Sequence, residues 1–335
     1  MATSLEVRGL TVELPTPEGW VRPVNDVSYT LGEGATLGIV GESGSGKTML
    51  SLALMGLEPH GARHTGEAWL NLRGGNGGSK NGGARNATRE NLLAISQNEM
   101  RELRGREIAM IFQEPMTALN PVLRIGAQVE EAIRVHEPRA VESEIHRRAL
   151  EALERAALND PARRARQYPH QLSGGLRQRV MIAMALAAGP GVLIADEPTT
   201  ALDVTVQKQI LELLGKLRRE LQLSILFITH DLGVVAQIAG RVAVMYAGRI
   251  VEEGPAAEVL RAPRHPYTEG LLRAAPRLAR EKLVPIPGTV PSLDALPPGC
   301  AFAPRCAHRV LECDAAVPEL RAVDKNHQAR CILVP

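Results

Sequence analysis

The eight residues Gly41-Glu42-Ser43-Gly44-Ser45-Gly46-Lys47-Thr48 restrict what this chain can fold into more than any other segment. They fit the pattern G-x-x-x-x-G-K-[ST], and the flanking residues supply the context that gives the pattern meaning. The short apolar run Leu37-Gly38-Ile39-Val40 reads as a buried strand, and Lys47 to about Leu57 reads as a helix. A loop of this kind wraps so that successive N–H groups face phosphate oxygens, and the helix start adds positive potential at the same spot. Lys47 then reaches the β- and γ-phosphates, while the Thr48 hydroxyl is placed for Mg²⁺. Residues 41–48 are therefore expected to bind a nucleotide.

A second acidic element follows far downstream. The apolar run Val192-Leu193-Ile194-Ala195 ends in Asp196 and Glu197. Taken with the phosphate loop, Asp196 is expected near Mg²⁺ and Glu197 as the group that polarises an attacking water. Other apolar strands are expected at 5–12, 107–112 and 224–229, with a hairpin over 241–252 around Ala247-Gly248. Helices are expected over much of 124–158, over 176–188 and over 203–222, the last started by Asp203. Strands alternating with helices predict an α/β fold with a largely parallel sheet. Residues 73–88 hold six glycines and almost no apolar side chain, which predicts a flexible surface insertion. Repeated prolines after about residue 262 place a domain boundary near 255–262.

Net charge is only +2, so a dominant electrostatic partner such as duplex DNA is not indicated. The longest apolar run, Val180 to Ala188, falls short of the ~18 residues that a spanning helix needs. The N-terminus lacks a basic stretch followed by an apolar core, so the chain is expected in the cytoplasm, reaching any membrane through partners.

The segment Leu172-Ser173-Gly174-Gly175-Leu176-Arg177-Gln178 resembles the signature motif of ABC ATPases, and it precedes the acidic strand as in that family. Gln113, after Ile111-Phe112, resembles the Q-loop glutamine, and His230, after Ile228-Thr229, resembles the switch histidine. Ala201-Leu202-Asp203 resembles the D-loop. The resemblance covers about residues 5–255 and implies a P-loop core with an antiparallel β subdomain and an α-helical subdomain at about 115–185. It implies that Glu197, His230 and Gln113 act on the hydrolysed phosphate, and that Thr48, Gln113 and Asp196 serve Mg²⁺. It further implies that Ser173, Gly174, Gly175 and Gln178 close on ATP held by a second ATPase, identical or paralogous, with Asp203 in the D-loop. Trp20 is the candidate for the aromatic ring that stacks on adenine in this family; an ordinary surface aromatic is the alternative.

Within the family, Phe112-Gln113-Glu114-Pro115-Met116-Thr117-Ala118-Leu119-Asn120-Pro121 and His265-Pro266-Tyr267-Thr268 resemble the oligopeptide/dipeptide importer branch. Ile286-Pro287-Gly288-Thr289-Val290-Pro291 and Gly299-Cys300-Ala301-Phe302-Ala303-Pro304-Arg305-Cys306 do likewise. This implies an ATPase domain over 1–258, an importer-type C-terminal module over 259–335, two transmembrane permease subunits, and a solute-binding protein engaged indirectly. It also implies a peripheral position at the cytoplasmic face of the cell membrane. A soluble ABC ATPase acting on ribosomes or DNA is the rival, although this chain lacks the second cassette or coiled-coil insertion usual there. All four cysteines, Cys300, Cys306, Cys313 and Cys331, fall in the C-terminal stretch. Four thiolates suit a [4Fe–4S] cluster, which some members of this branch carry, or a zinc ion, with unligated thiols as the third reading.

Overall fold

The computed structural model of the chain describes residues 2–73, 89–113, 118–200, 202–275 and 284–334. Of the expected glycine-rich insertion only Arg73 is described, and residues 114–117 and Ala201 also lie outside the described residues.

Two sheets organise the chain. The smaller is antiparallel, with order β2-β1-β4-β5, built from β1 (Thr3–Thr16), β2 (Gly19–Gly32), β4 (Arg63–Asn71) and β5 (Arg89–Asn91). Only the first of these strands was legible, and it runs beyond the expected 5–12. Pro23, Asn25 and Asp26 make β2 look like a turn, yet the pairing accommodates them with repeated register shifts, and Asp26 takes a positive φ of 55°.

The larger sheet has the order β11-β12-β10-β9-β3-β8-β7-β6. One half of it comprises β3 (Thr36–Val40), β8 (Ser224–Thr229), β7 (Val192–Asp196) and β6 (Ile108–Ile111), which are parallel neighbours and buried along their whole length. Helices on both faces cover such strands, which is why they read as continuous apolar runs. The hairpin β9 (Arg241–Tyr246) to β10 (Arg249–Pro255) turns on Ala247 and Gly248, with φ of 46° and 83°, as a tight two-residue connection requires.

The helices follow from caps and stripes. Helix α1 (Lys47–Leu54) stops short of the expected Leu57 because Gly56 turns the chain with a φ of 59°. Helix α2 is Gln97–Leu103, capped reciprocally by Ser96 and Glu99. The helical stretch 124–158 is two helices, α3 (Ile125–Arg134) and α4 (Glu142–Arg155), separated around Pro138. After α5 (Pro161–Ala165) comes α6 (Gly174–Leu186), which starts two residues before the expected 176 because Ser173 Oγ accepts from Leu176 N–H. These helices pack on one apolar cluster through Val129, Ile133, Leu153 and Val180. Helix α7 (Val204–Leu221) is capped by Asp203, whose carboxylate accepts from Thr205 and Val206 N–H, and it buries Ile210, Leu213, Leu214 and Leu217.

The C-terminal stretch does not stand apart from the sheet. Strand β12 (His327–Ala329) pairs with β10, and β11 (Arg321–Asp324) pairs with β12. Helices α8 (Leu232–Ile238), α9 (Ala256–Arg261) and α10 (Pro266–Ala274) cover this end, where Tyr246, Tyr267 and Phe302 meet with ring centroids 4.6–5.3 Å apart.

Candidate functional site

Strand register brings the motifs together. Val40 lies opposite Thr229 and Asp196 opposite Ile228, so the C-terminal ends of β3, β7 and β8 are adjacent. Gly41 leaves the first, Glu197 the second and His230 the third. Ile111 pairs with Ala195, which brings Gln113 to the same edge. Ligands of open α/β sheets collect at this edge.

Close approach requires glycine at positions 41 and 46 of the loop. A Cβ on Gly41 would lie 2.2 Å from the Met245 carbonyl oxygen, and one on Gly46 would lie 1.9 Å from that of Pro23, where φ is also 102°. Lys47 Nζ donates to the carbonyls of Gly41 and Glu42, both at 2.8 Å, and to Ser45 Oγ at 3.3 Å. Burial pulls its pKa down, and the charges of Glu197, Asp196 and Glu42 oppose that shift. Asp196 is 1 % exposed, among the described residues neither of its oxygens has a well-formed hydrogen bond, and burial pushes its pKa up to about 6. A sealed carboxyl of this kind next to the phosphate loop, with the exposed Thr48 hydroxyl close by, fits the outer sphere of Mg²⁺.

Glu197 carries the most constrained geometry. Its φ is 47°, left-handed for a residue with a side chain, held by its N–H donating to Ile228 O at 2.9 Å. Its Oε2 lies 3.1 Å from His230 Nδ1, accepts from Thr200 Oγ1 at 2.8 Å, and accepts from Gln113 Nε2 at 3.4 Å. The hydrogen bond with His230 lowers the Glu197 pKa and raises that of His230, so the pair favours a carboxylate beside an imidazolium. All three contacts fall on Oε2.

At the signature segment, Ser173 and Gly174 are exposed at the start of α6, an available anion site. Gln178, expected among the signature contacts, is 1 % exposed, and among the described residues its Nε2 has no hydrogen-bond partner. Asp203 is exposed and caps α7. Trp20 is 44 % exposed near the tip of the β1–β2 hairpin, with the Arg63 guanidinium 4.0 Å from its ring centroid. Its stacking partner here is therefore Arg63.

The four cysteines line one small cavity of about 10 Å³, with His265 and Phe302. Cys300 N–H donates to Cys313 O at 2.7 Å, which ties two of the loops together. Neither the expected [4Fe–4S] cluster nor the zinc alternative finds support in the side-chain placement: among the described residues no group of three or more His, Cys, Asp or Glu side chains is placed to hold a metal ion. Burial raises the pKa of Cys300, Cys306 and Cys331.

A phosphate loop, a strand ending in Asp-Glu and a histidine after the next strand on one sheet edge, together with a capped signature helix in the same chain, define an ATP-binding cassette. Residues 24–200 match the ABC transporter family, and residues 251–313 match the oligopeptide/dipeptide transporter C-terminal region. A protein of Brucella melitensis biotype 1 named for peptide import ATP binding is 51 % identical over 98 % of this chain and 96 % of its own. Another so named, from Brucella abortus strain 2308, is 47 % identical over 98 % of this chain and 95 % of its own. Among solved structures, a dimeric ATP-binding cassette in a post-hydrolysis state with ADP and Pi is 30 % identical with a TM-score of 0.62, covering 75 % of this chain and 98 % of that one. This chain belongs to the ABC transporter family, and it is an ATP-binding and ATP-hydrolysing subunit of its oligopeptide/dipeptide branch.

Proposed function

We infer that the chain powers an importer of dipeptides, oligopeptides or a related small solute. The observation that carries this reading is the convergence of Lys47, Glu197, His230 and Gln113 on one sheet edge, in a chain whose C-terminal stretch matches the oligopeptide/dipeptide region. ATP lies along residues 41–48, and Lys47 offers its ammonium to the β- and γ-phosphates. Thr48, Gln113 and Asp196 would hold Mg²⁺, which screens the phosphate charge when bound. Glu197 orients water while His230 faces the charge that develops on the γ-phosphate. Ser173, Gly174 and Gly175 close on ATP bound by a second cassette, a copy of this chain or a paralogue. Gln113 passes the closure to two permease subunits, and a solute-binding protein acts through those permeases. The chain sits peripherally at the cytoplasmic face of the cell membrane. No helix among the described residues is long and apolar enough to cross a membrane, which accords with docking through partners.

The cysteines extend this reading to a [4Fe–4S] cluster held by Cys300, Cys306, Cys313 and Cys331. Its support is that all four thiols line one cavity. Such a cluster would cross-link loops that lack regular structure. Anaerobically purified protein should contain iron and acid-labile sulfide and lose both on Cys313→Ser. Protein without iron, or with stoichiometric zinc instead, overturns this part.

The importer reading is tested by capturing tagged Glu197→Gln protein from native membranes with ATP. Recovery of two multi-spanning permeases supports it. Recovery of ribosomal or DNA-repair proteins without a permease overturns it and leaves the ATPase assignment standing.

A further inference from the structure

We propose that Arg305 is a positioning residue for the ATP site, setting nucleotide affinity from the C-terminal stretch by neutralising and holding Glu42 of the phosphate loop. The two residues are 263 positions apart in the chain, yet Arg305 grips both carboxylate oxygens, Nη1 to Oε2 at 2.7 Å and Nη2 to Oε1 at 3.0 Å. Its side chain is only 5 % exposed. Every other bond it makes holds the guanidinium in place. Nε donates to Pro287 O at 2.9 Å, and Nη1 donates to Tyr246 Oη at 3.4 Å. The 3₁₀ turn Ala303–Arg305, closed by Arg305 N–H on Phe302 O at 2.9 Å, fixes where the side chain starts.

A second contact lands on the same loop residue. Glu42 N–H donates to Tyr267 Oη at 2.8 Å, so the backbone and the side chain of Glu42 are both held from beyond residue 262. Tyr267 is itself sealed against Tyr246 and Phe302.

The charge balance gives the grip its consequence. Glu42 is the one acidic side chain within residues 41–48, next to where a triphosphate must sit. With Arg305 paired to it, the loop presents Lys47 and N–H dipoles without an opposing charge. Without Arg305, a carboxylate of 30 % exposure stands unscreened beside the phosphates and repels them. A planar fork suits this bidentate contact and an ammonium does not. The inference rests on the ATP site and is independent of what is transported.

The test is ATP affinity of the full-length protein, measured by calorimetry and as KM against kcat, with ligand-free melting alongside. Arg305→Met is expected to weaken ATP binding roughly tenfold or more, mainly in KM, with Arg305→Lys intermediate. Because the harm comes from a bare carboxylate, Glu42→Gln should rescue it: the double variant should bind ATP within about threefold of Glu42→Gln alone. Should Arg305→Met fail to fold, Arg305→Lys and its pairing with Glu42→Gln give the same comparison. Unchanged affinity in both Arg305 variants overturns the proposal. So does weakened affinity that Glu42→Gln leaves unrescued, because that marks Arg305 as a packing residue only. Failure of the unaltered protein to bind ATP would instead strike the ATP site itself.

Discussion

Glu197 Oε2 and His230 Nδ1 lie 3.1 Å apart although the two residues are 33 positions apart in the chain. Adjacent parallel strands end beside each other, and the left-handed backbone at Glu197 turns its carboxylate toward the neighbouring strand's exit. The hydrogen bond with His230 lowers the Glu197 pKa and so favours its ionised form.

Glu197→Gln keeps the shape and removes the charge. ATP turnover should fall by at least about 100-fold while ATP binding persists, and the ATP-loaded protein should accumulate as a closed dimer. Steady-state phosphate release, calorimetry and size-exclusion chromatography measure the three. Unchanged hydrolysis would refute the role given to Glu197.

Asp196 trades stability for function. Its folded pKa of about 6 exceeds the ordinary 3.8, so the folded state holds the proton more tightly than the unfolded chain. The stability this lends is present below the unfolded value and is lost as pH rises through about 6, after which a buried charge opposes folding. Asp196→Asn should therefore stabilise the ligand-free protein at alkaline pH, by up to about 3 kcal/mol, and abolish turnover. Urea unfolding at about pH 5 and about pH 8 checks it: the gain over the parent must widen toward the higher pH.

Gly46→Ala forces a methyl against the Pro23 carbonyl, 1.9 Å from the new Cβ, in a backbone conformation that favours glycine. The loop must shift, so ATP binding should be lost along with about 2 kcal/mol or more of stability. Thermal melting with and without ATP separates the effects: the variant should melt lower and gain nothing from nucleotide.

Glu252 ties the C-terminal strands to the sheet. Wholly buried, it accepts from Arg264 N–H at 2.7 Å, from His265 N–H at 2.9 Å, and pairs with His327 Nε2 at 2.7 Å. Glu252→Ala strands three polar partners and should destabilise by about 3–5 kcal/mol. Removing the exposed Arg264–Asp324 pair should cost less than about 1 kcal/mol. A similar loss in both, by urea midpoint, would contradict the anchoring role.

The phosphate loop, the Asp196-Glu197 pair, the Ser173 cap and the central apolar strands were legible because each is a local device. Its chemistry, cap or apolar run is complete within a few residues. Gln113 and His230 could be placed only by their order among these motifs, since a polar residue at a strand end carries no local mark. Strands β2, β4 and β5 escaped notice because their pairing depends on bulges and on partners distant in sequence. Gln178 belongs to the signature motif, and only the tertiary structure decided its burial. The Arg305–Glu42 grip, the joining of β12 to β10 and the meeting of four thiols in one cavity were likewise decided by the tertiary structure alone. Local chemistry determines what a segment can do, but which distant segment completes it depends on how the whole chain buries its apolar surface.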